Sequence, residues 1–381
     1  MEAIMGIGTF LIVYGVLMYQ GYNLDKIANT GIIYGVRVPE DHKNDNEIIQ
    51  AIKRYKKRYI LIIPITILIT LGISLIVDSV AMLVFSLFII LILSQIVYLF
   101  SWKEMKEIKR RNKWRTIGSN VVVVDMRVKK KNGEGIEKQP LSSKIYLWII
   151  PIIAITIIMT IVLYGRLPEV FPIHFNGNGI ADRYSVKGTF DGYFSLAILP
   201  LTQIGILLML WGTHIYILRA KKILNSGTVK ATLKQQNTYR RYMVIYLFAI
   251  ALEMEIMFAI IQVTLFYPRY AGALAIVSTI IILATCIGGI IPIYRIGQGG
   301  RNIKVEDDGE MIYRDDDDLY KLGSFYYNKE DPAIMVQKRI GIGMDFNYAK
   351  PIAWVFVAIT IIIVLGVLIV TIMNDQSILN I

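Results

Sequence analysis

The chain has one cysteine, three histidines and few charges, and each shortage removes a class of chemistry. Cys286 alone forms no intrachain disulfide and supplies no thiolate metal cluster. His42, His174 and His214 lie far apart in sequence, so no metal site is expected from them. There is no nucleophile elbow, no H-E-x-x-H pair and no Walker loop. Gly341-Ile342-Gly343 lacks the strand-turn-helix setting and third glycine of a phosphate cradle. A non-enzymatic protein without cofactor is therefore expected. Neither a basic leader region nor a small-residue cleavage site follows Met1-Glu2, so no cleaved signal peptide is expected.

Charge is scarce because apolar residues fill the chain: 55% of its 381 residues are hydrophobic and 18% charged. The apolar residues gather into runs that match a bilayer, since a helix rising about 1.5 Å per residue crosses about 30 Å in some twenty residues. The runs lack two-residue alternation, which excludes a barrel and leaves helices. The expected fold is an all-α polytopic membrane protein with about eight spans: Ala3–Tyr22, Tyr59–Val77, Val80–Phe100, Tyr146–Tyr164, Tyr193–Leu218, Tyr242–Phe266, Tyr270–Tyr294 and Pro351–Met373. Tyr or Trp marks many of their ends. Pro64, Pro151, Pro200 and Pro292 fall inside spans and are expected to kink them.

Basic residues are sharply lopsided. The segments joining spans 1–2, 3–4, 5–6 and 7–8 hold 8, 13, 7 and 9 Lys and Arg, 37 of the chain's 41. The other side has Arg166, Arg183, Lys187 and Arg269. Basic loops remain in the cytoplasm, which places both termini and the 165–192 loop outside.

Four inner segments follow, at 23–58, 101–145, 219–241 and 295–350. In the first, Gly35, Arg37 and Pro39 suggest a turn, and Asn44-Asp45 opens a helix ending in the basic cluster Lys53–Arg58. The second reads as a helical run, Ser101–Ile117, then a strand, Asn120–Lys131. The third has seven basic and no acidic residues, but no nucleic-acid-binding pattern, so it reads as a lipid-facing surface. The fourth is long enough for a small α+β unit, with strand-like pieces at Asn302–Val305, Met311–Tyr313 and Ile334–Gln337 and turns at Asp308-Gly309 and Asp331-Pro332. Its Asp315–Asp318 run fails the calcium-loop spacing and reads as a solvated acidic turn.

Two places carry candidate chemistry. Glu253 and Glu255 lie near mid-span, where a charged side chain costs several kcal/mol and usually faces protein or water. Two positions apart means about 200° around the helix, so they cannot share a face. Proton or cation handling is one reading; a neutral carboxyl bonding a neighbouring helix is the other, with Gln262 and Gln95 as available partners. The second place is the outer loop Leu167–Lys187. Pro168 and Pro172 favour extended backbone, and Phe171, Ile173 and Phe175 alternate with Pro172, His174 and Asn176. Asn176-Gly177 and Asn178-Gly179 signal a reversal that would bring His174 to Asp182, with Arg183 and Lys187 nearby. A pH-sensitive hydrogen bond or a metal half-site is possible there, and a bonded scaffold presenting a recognition surface is expected.

The pattern Pro-x-His-Phe-Asn-x-x-Gly-x-Ala-Asp-x-Tyr-x-x-Lys at 172–187 resembles the signature of a bacterial membrane-domain family of unknown function, shared with SdpI-type immunity proteins. By that resemblance Pro172, His174, Asn176, Gly179, Asp182 and Lys187 carry the motif, with no catalytic role attached. GVRVPEDHKNDNEI (35–48) more loosely resembles a second SdpI-family stretch, though it precedes the loop. FYYNKEDPAIMVQKRIGIGMDFNYAKP (325–351) resembles another uncharacterised domain of Gram-positive membrane proteins. The expected function is sensing of, or immunity to, an extracellular factor such as an antimicrobial peptide. A transporter or permease component using Glu253 and Glu255 is the alternative. Expected partners are the lipid bilayer, a secreted peptide outside and a cytoplasmic regulator inside, and no nucleic acid.

Overall fold

A computed structural model describes residues 2–77, 80–114, 141–175, 180–220, 229–305 and 315–374. Its long helices are α1 (Glu2–Tyr22), α2 (Asn46–Val77), α3 (Val80–Arg111), α4 (Ile150–Leu163), α5 (Phe190–Arg219), α6 (Val229–Phe266), α7 (Ala271–Ile296) and α8 (Pro351–Asn374). Among the described residues six helical segments are long and apolar enough to cross a membrane: Asn46–Val77, Met82–Arg111, Ser143–Arg166, Phe190–Arg219, Ala231–Phe266 and Pro268–Gly300. They meet six of the eight expected spans. Helices also form at the other two positions, α1 with 21 residues and α8 with 24. At most 28% of any spanning window is buried within the protein, leaving side chains such as Ile76 and Leu68 86% and 69% exposed. Apolar faces of that extent are solvated by hydrocarbon, not water. The chain is a multi-pass membrane protein.

It divides into two compact units, the first of residues 1–135, 220–236 and 296–381 and the second of residues 136–219 and 237–295. In the first unit α2 and α3 pack along their length with α1 against them. Glu47 in the first turn of α2, and Lys109, Arg110 and Arg111 in the last turn of α3, oppose the partial charges of those helix ends. Tyr55 and Tyr59 on α2 donate from their hydroxyls to the carbonyls of Gly21 (2.7 Å) and Leu17 (3.2 Å). Gly21 has no room for a side chain, because an added Cβ would overlap the Tyr59 ring. The helical run expected from Ser101 is the continuation of α3 to Arg111.

The described parts of segments 23–58 and 295–350 fold together within this unit. Strands β1 (Ile32–Ile33) and β2 (Val36–Arg37) are joined by Tyr34 and Gly35, both at positive φ (44° and 80°), which gives the hairpin the twist of its strands. Strands β5 (Tyr320–Lys321) and β6 (Phe325–Tyr326) form a second hairpin. Farther along the chain, β7 (Met335–Gln337) pairs with β8 (Met344–Phe346), and Ala28 bridges Ile340. The expected strand at Ile334–Gln337 is β7, whereas Asn302–Val305 is turn and irregular backbone. The pieces at Asn120–Lys131, Met311–Tyr313 and Asp308-Gly309 lie outside the described residues.

In the second unit a core of Tyr146, Ile149, Ile153, Leu207, Leu210 and Ala251 joins α4, α5 and α6. Pro151 falls in the first turn of α4, where its missing N–H has no partner to lose, so it starts that helix instead of kinking it. Pro200 and Pro292 lie inside α5 and α7 as expected. Between α4 and α5 the chain forms an antiparallel hairpin, β3 (Val170–Phe175) with β4 (Ala181–Val186).

Candidate functional site: a hairpin over an apolar cleft

The expected reversal is present, and it brings His174 to Asp182. His174 Nδ1 lies 2.6 Å from Asp182 Oδ1, and since a carboxylate only accepts, the ring nitrogen donates. Two compensating irregularities set this contact. Pro172 pairs with Tyr184, His174 with Arg183 and Phe175 with Ala181, so Ile173 is extra on one strand and Asp182 on the other. A bulge re-aims its residue, which is how the Asp182 carboxylate reaches the imidazole. The ring N–H holds the Asp182 carboxyl below the ordinary carboxylate range, the charge of Arg183 adding a smaller effect in the same direction.

The hairpin is tied down at its base. Phe171 is fully buried against Leu167, Leu196 and Leu265, with Ile173 packed on the same cluster. Pro172 is buried as well, so the expected polar face begins at His174. Lys187 Nζ donates to the Leu167 carbonyl (3.0 Å) and sits over the Tyr164 ring at 5.0 Å. Thr189 caps α5 by accepting from the Gly192 N–H (3.1 Å), and the Ser185 hydroxyl donates to Asp191. Of the motif residues, His174 and Asp182 meet, Pro172 is buried in β3, and Lys187 binds at the hairpin's base and not beside His174; Asn176 and Gly179 lie outside the described residues.

Beneath the hairpin an apolar cleft of about 1060 Å³ opens between α5, α6 and α7. Ile173, His174, Phe175 and Asp191 line it where the hairpin meets α5, with His174 and Asp191 as the titratable groups, and Phe194, Ile198, Met257 and Leu274 contribute to its walls. Such a cleft, largely apolar with a few convergent polar groups, has the make-up of a ligand site and a volume at the upper end of the usual range.

A second polar cluster, in the first unit, was not legible in sequence. Asp316 is buried and accepts from Arg37 Nε (3.1 Å) and Arg339 Nη2 (3.2 Å). Asp317 accepts from the Arg37 backbone N–H (3.0 Å), from Lys109 Nζ (2.6 Å) and from Arg339. Lys109 also bonds Asp315 at 2.8 Å. Asp315, Asp316 and Asp317 are therefore ion-paired, with Asp316 buried, and only Asp318 is exposed as a solvated turn residue would be: two buried guanidiniums need carboxylates that sequence separation hides. Burial alone would lower the Arg339 pKa, but Asp316 and Asp317 outweigh it and raise it. Nearby, the Asn347 amide holds a loop shut by donating to the carbonyls of Asn328 (2.8 Å), Ala333 (3.2 Å) and Asp331 (3.3 Å).

Two stretches of the chain match families without an assigned role. Residues 142–201 match the Domain of unknown function (DUF1648). Residues 329–354 match the Family of unknown function (DUF5808). No curated protein matches the chain, and no solved structure does. The DUF1648 segment contains α4, the hairpin and the first turns of α5; the DUF5808 segment contains β7, β8 and Asn347.

The intramembrane carboxyls separate as helical geometry requires. Glu255 is fully buried, while Glu253 is partly exposed. Gln203 Nε2 donates to the Glu255 backbone carbonyl at 2.9 Å. Gln262 does not serve a glutamate: its Nε2 bonds Thr160 Oγ1 and the Leu196 carbonyl, both at 2.9 Å and both within the DUF1648 segment. Gln95 is exposed on α3. Among the described residues no group of three or more His, Cys, Asp or Glu is arranged to hold a metal ion.

Proposed function

We propose that the chain is a non-enzymatic plasma-membrane protein, both termini outside, whose hairpin and cleft recognise an extracellular membrane-active peptide. The observation that carries this reading is an apolar cleft lined by Asp191 and by His174, which itself bonds Asp182. A helix about 10–12 Å across that rises 1.5 Å per residue would fill that volume of about 1060 Å³ with six to nine residues. The Asp191 carboxylate in that lining accepts hydrogen bonds, and a cationic amphipathic peptide supplies ammonium donors and an apolar face together. The 37-to-4 distribution of basic residues supports the outward placement of the hairpin. The resemblance of the 172–187 motif to SdpI-type immunity proteins points the same way, and the folded inner segments offer a surface to a cytoplasmic regulator. Deleting the gene and challenging cells with secreted antimicrobial peptides of related strains tests the proposal. Sensitivity to at least one peptide rises, and wild type restores resistance where Asp182→Asn does not. Unchanged sensitivity across a broad panel refutes immunity.

The alternative, a transporter or permease component, is favoured by one observation, the fully buried Glu255 in the middle of α6. On that reading Glu253→Gln and Glu255→Gln abolish function, and changes at His174 and Asp182 do not.

A further inference from the structure

Along the contact of α5 with α6 lies a seam of buried polar groups that is short of hydrogen-bond donors. Two rungs build it. Gln203 of α5 donates to the Glu255 carbonyl of α6, and Gln262 of α6 donates to the Leu196 carbonyl of α5, each at 2.9 Å. Glu255 to Gln262 and Leu196 to Gln203 are both seven-residue steps, about two turns, so on these antiparallel helices the rungs lie on one face. Gln203, Glu255 and Gln262 are all fully buried. Each rung uses an amide N–H and leaves the amide oxygen without a partner: Gln203 Oε1 and Gln262 Oε1 have none, nor does either carboxyl oxygen of Glu255. The Gln203 orientation is fixed, because its nitrogen must face the Glu255 carbonyl.

What is missing at the Glu255 rung is one donor. An ionised carboxylate only accepts, so beside Gln203 Oε1 it would add two more unsatisfied acceptors to a dry core. Among the described residues no Lys, Arg or His bonds either carboxyl oxygen of Glu255. The other titratable groups of the packed helices are turned to other tasks. Tyr146 stacks with Trp211 and meets His214 edge-on, His214 bonds the Leu141 carbonyl, and Glu253 lies about 200° around its own helix. A protonated carboxyl has the O–H that Gln203 Oε1 lacks.

We propose that Glu255 is a proton-binding site within the membrane, its carboxyl O–H donated to Gln203 Oε1. The site is independent of peptide recognition by the hairpin and stands or falls without it. It locks α5 to α6 while the proton is bound, and loss of the proton puts a bare carboxylate in the seam and opens the helix contact to water. Glu253, partly exposed two positions away, has no such role.

Infrared spectroscopy of the full-length protein in lipid vesicles tests the assignment through the carbonyl stretch of a protonated carboxyl, which is separate from the carboxylate bands. Wild type at neutral pH shows the band; Glu255→Gln loses it, and Glu253→Gln retains it. Gln203→Leu, which deletes the acceptor, shifts the band to the frequency of a carboxyl without a hydrogen bond. Absence of the band from wild-type protein at neutral pH overturns the proposal without any variant. So does a band unaltered in Glu255→Gln. A band that appears only when sodium is replaced by choline overturns it too, by assigning the seam to a metal cation instead of a proton.

Discussion

Removing Asp316 from the buried ion-pair core should open the small folded subdomain of the first unit. The Asp316 side chain is 4% exposed, and its guanidinium partners on Arg37 and Arg339 are 5% and 2% exposed. In Asp316→Ala, Arg37 keeps only a 3.5 Å contact from its guanidinium to the Thr30 carbonyl among these bonds, while Arg339 keeps Asp317 and the Tyr320 ring. Stranding one partner of a buried ion pair costs about 3–5 kcal/mol. At about 1.4 kcal/mol per tenfold, the opening equilibrium rises by roughly two to three and a half orders of magnitude. Hydrogen exchange in lipid discs reads this directly at the Asn29 amide, bonded to the Arg339 carbonyl, and at the Val38 amide, bonded to Gly31. Replacing Arg37 by Met in the same chain should cost less than the sum of the single changes, because the second substitution removes the stranded charge. Exchange within about threefold of wild type in Asp316→Ala, equivalent to about 0.7 kcal/mol, would refute the claim that this cluster holds the subdomain together.

Acid should loosen the β3–β4 hairpin. Its Asp182 carboxyl is depressed by the His174 N–H, so the stabilisation is complete above the ordinary carboxylate range and is lost as pH falls through the lowered value. Proteolysis of the 170–186 hairpin across a pH series measures this, and Asp182→Asn should abolish the dependence. Gly192→Ala places a methyl against the Val186 carbonyl, whose oxygen an added Cβ would overlap; a loss of about 1–3 kcal/mol is expected, read as a lower Tm. Asn347→Ala leaves carbonyls of Asn328, Asp331 and Ala333 without their shared donor, at about 1–3 kcal/mol for a stranded buried group, and cleavage within 328–347 should accelerate.

Local signals in the sequence were sufficient where the determining contacts are local. The apolar runs specify helices through the length of a bilayer. The alternation around Phe171 and Ile173 together with the downstream Asn-Gly pairs was enough to juxtapose His174 and Asp182 across eight positions. Rotation of 100° per residue separated Glu253 from Glu255. What stayed hidden depends on pairings over long sequence separations. Arg37 and Asp316 are 279 positions apart and Arg37 lies in a stretch that reads as a plain turn, so nothing local marks it as a buried guanidinium. A run of four aspartates has the composition of a solvated turn, and only the arrival of Arg37, Lys109 and Arg339 ion-pairs its first three members. Pro151 read as a kink because a helix start within a continuous apolar run leaves no change in composition, and a short 3₁₀ turn at Ser143–Trp148 precedes α4 there. The cleft is likewise invisible in sequence, since its walls come from three helices whose spacing, not their residue types, leaves the space.

Everything proposed for the hairpin requires that His174 face the cell's surroundings. The direct measurement replaces Cys286 by Ser, introduces a cysteine at the exposed Tyr184 on β4, and treats intact cells with a membrane-impermeant thiol reagent. A second cysteine variant at Lys57, in the basic cluster, serves as the inward control. The account predicts that Tyr184→Cys is modified in intact cells and Lys57→Cys only after lysis. Modification of Lys57→Cys in intact cells, with Tyr184→Cys protected until lysis, would contradict it.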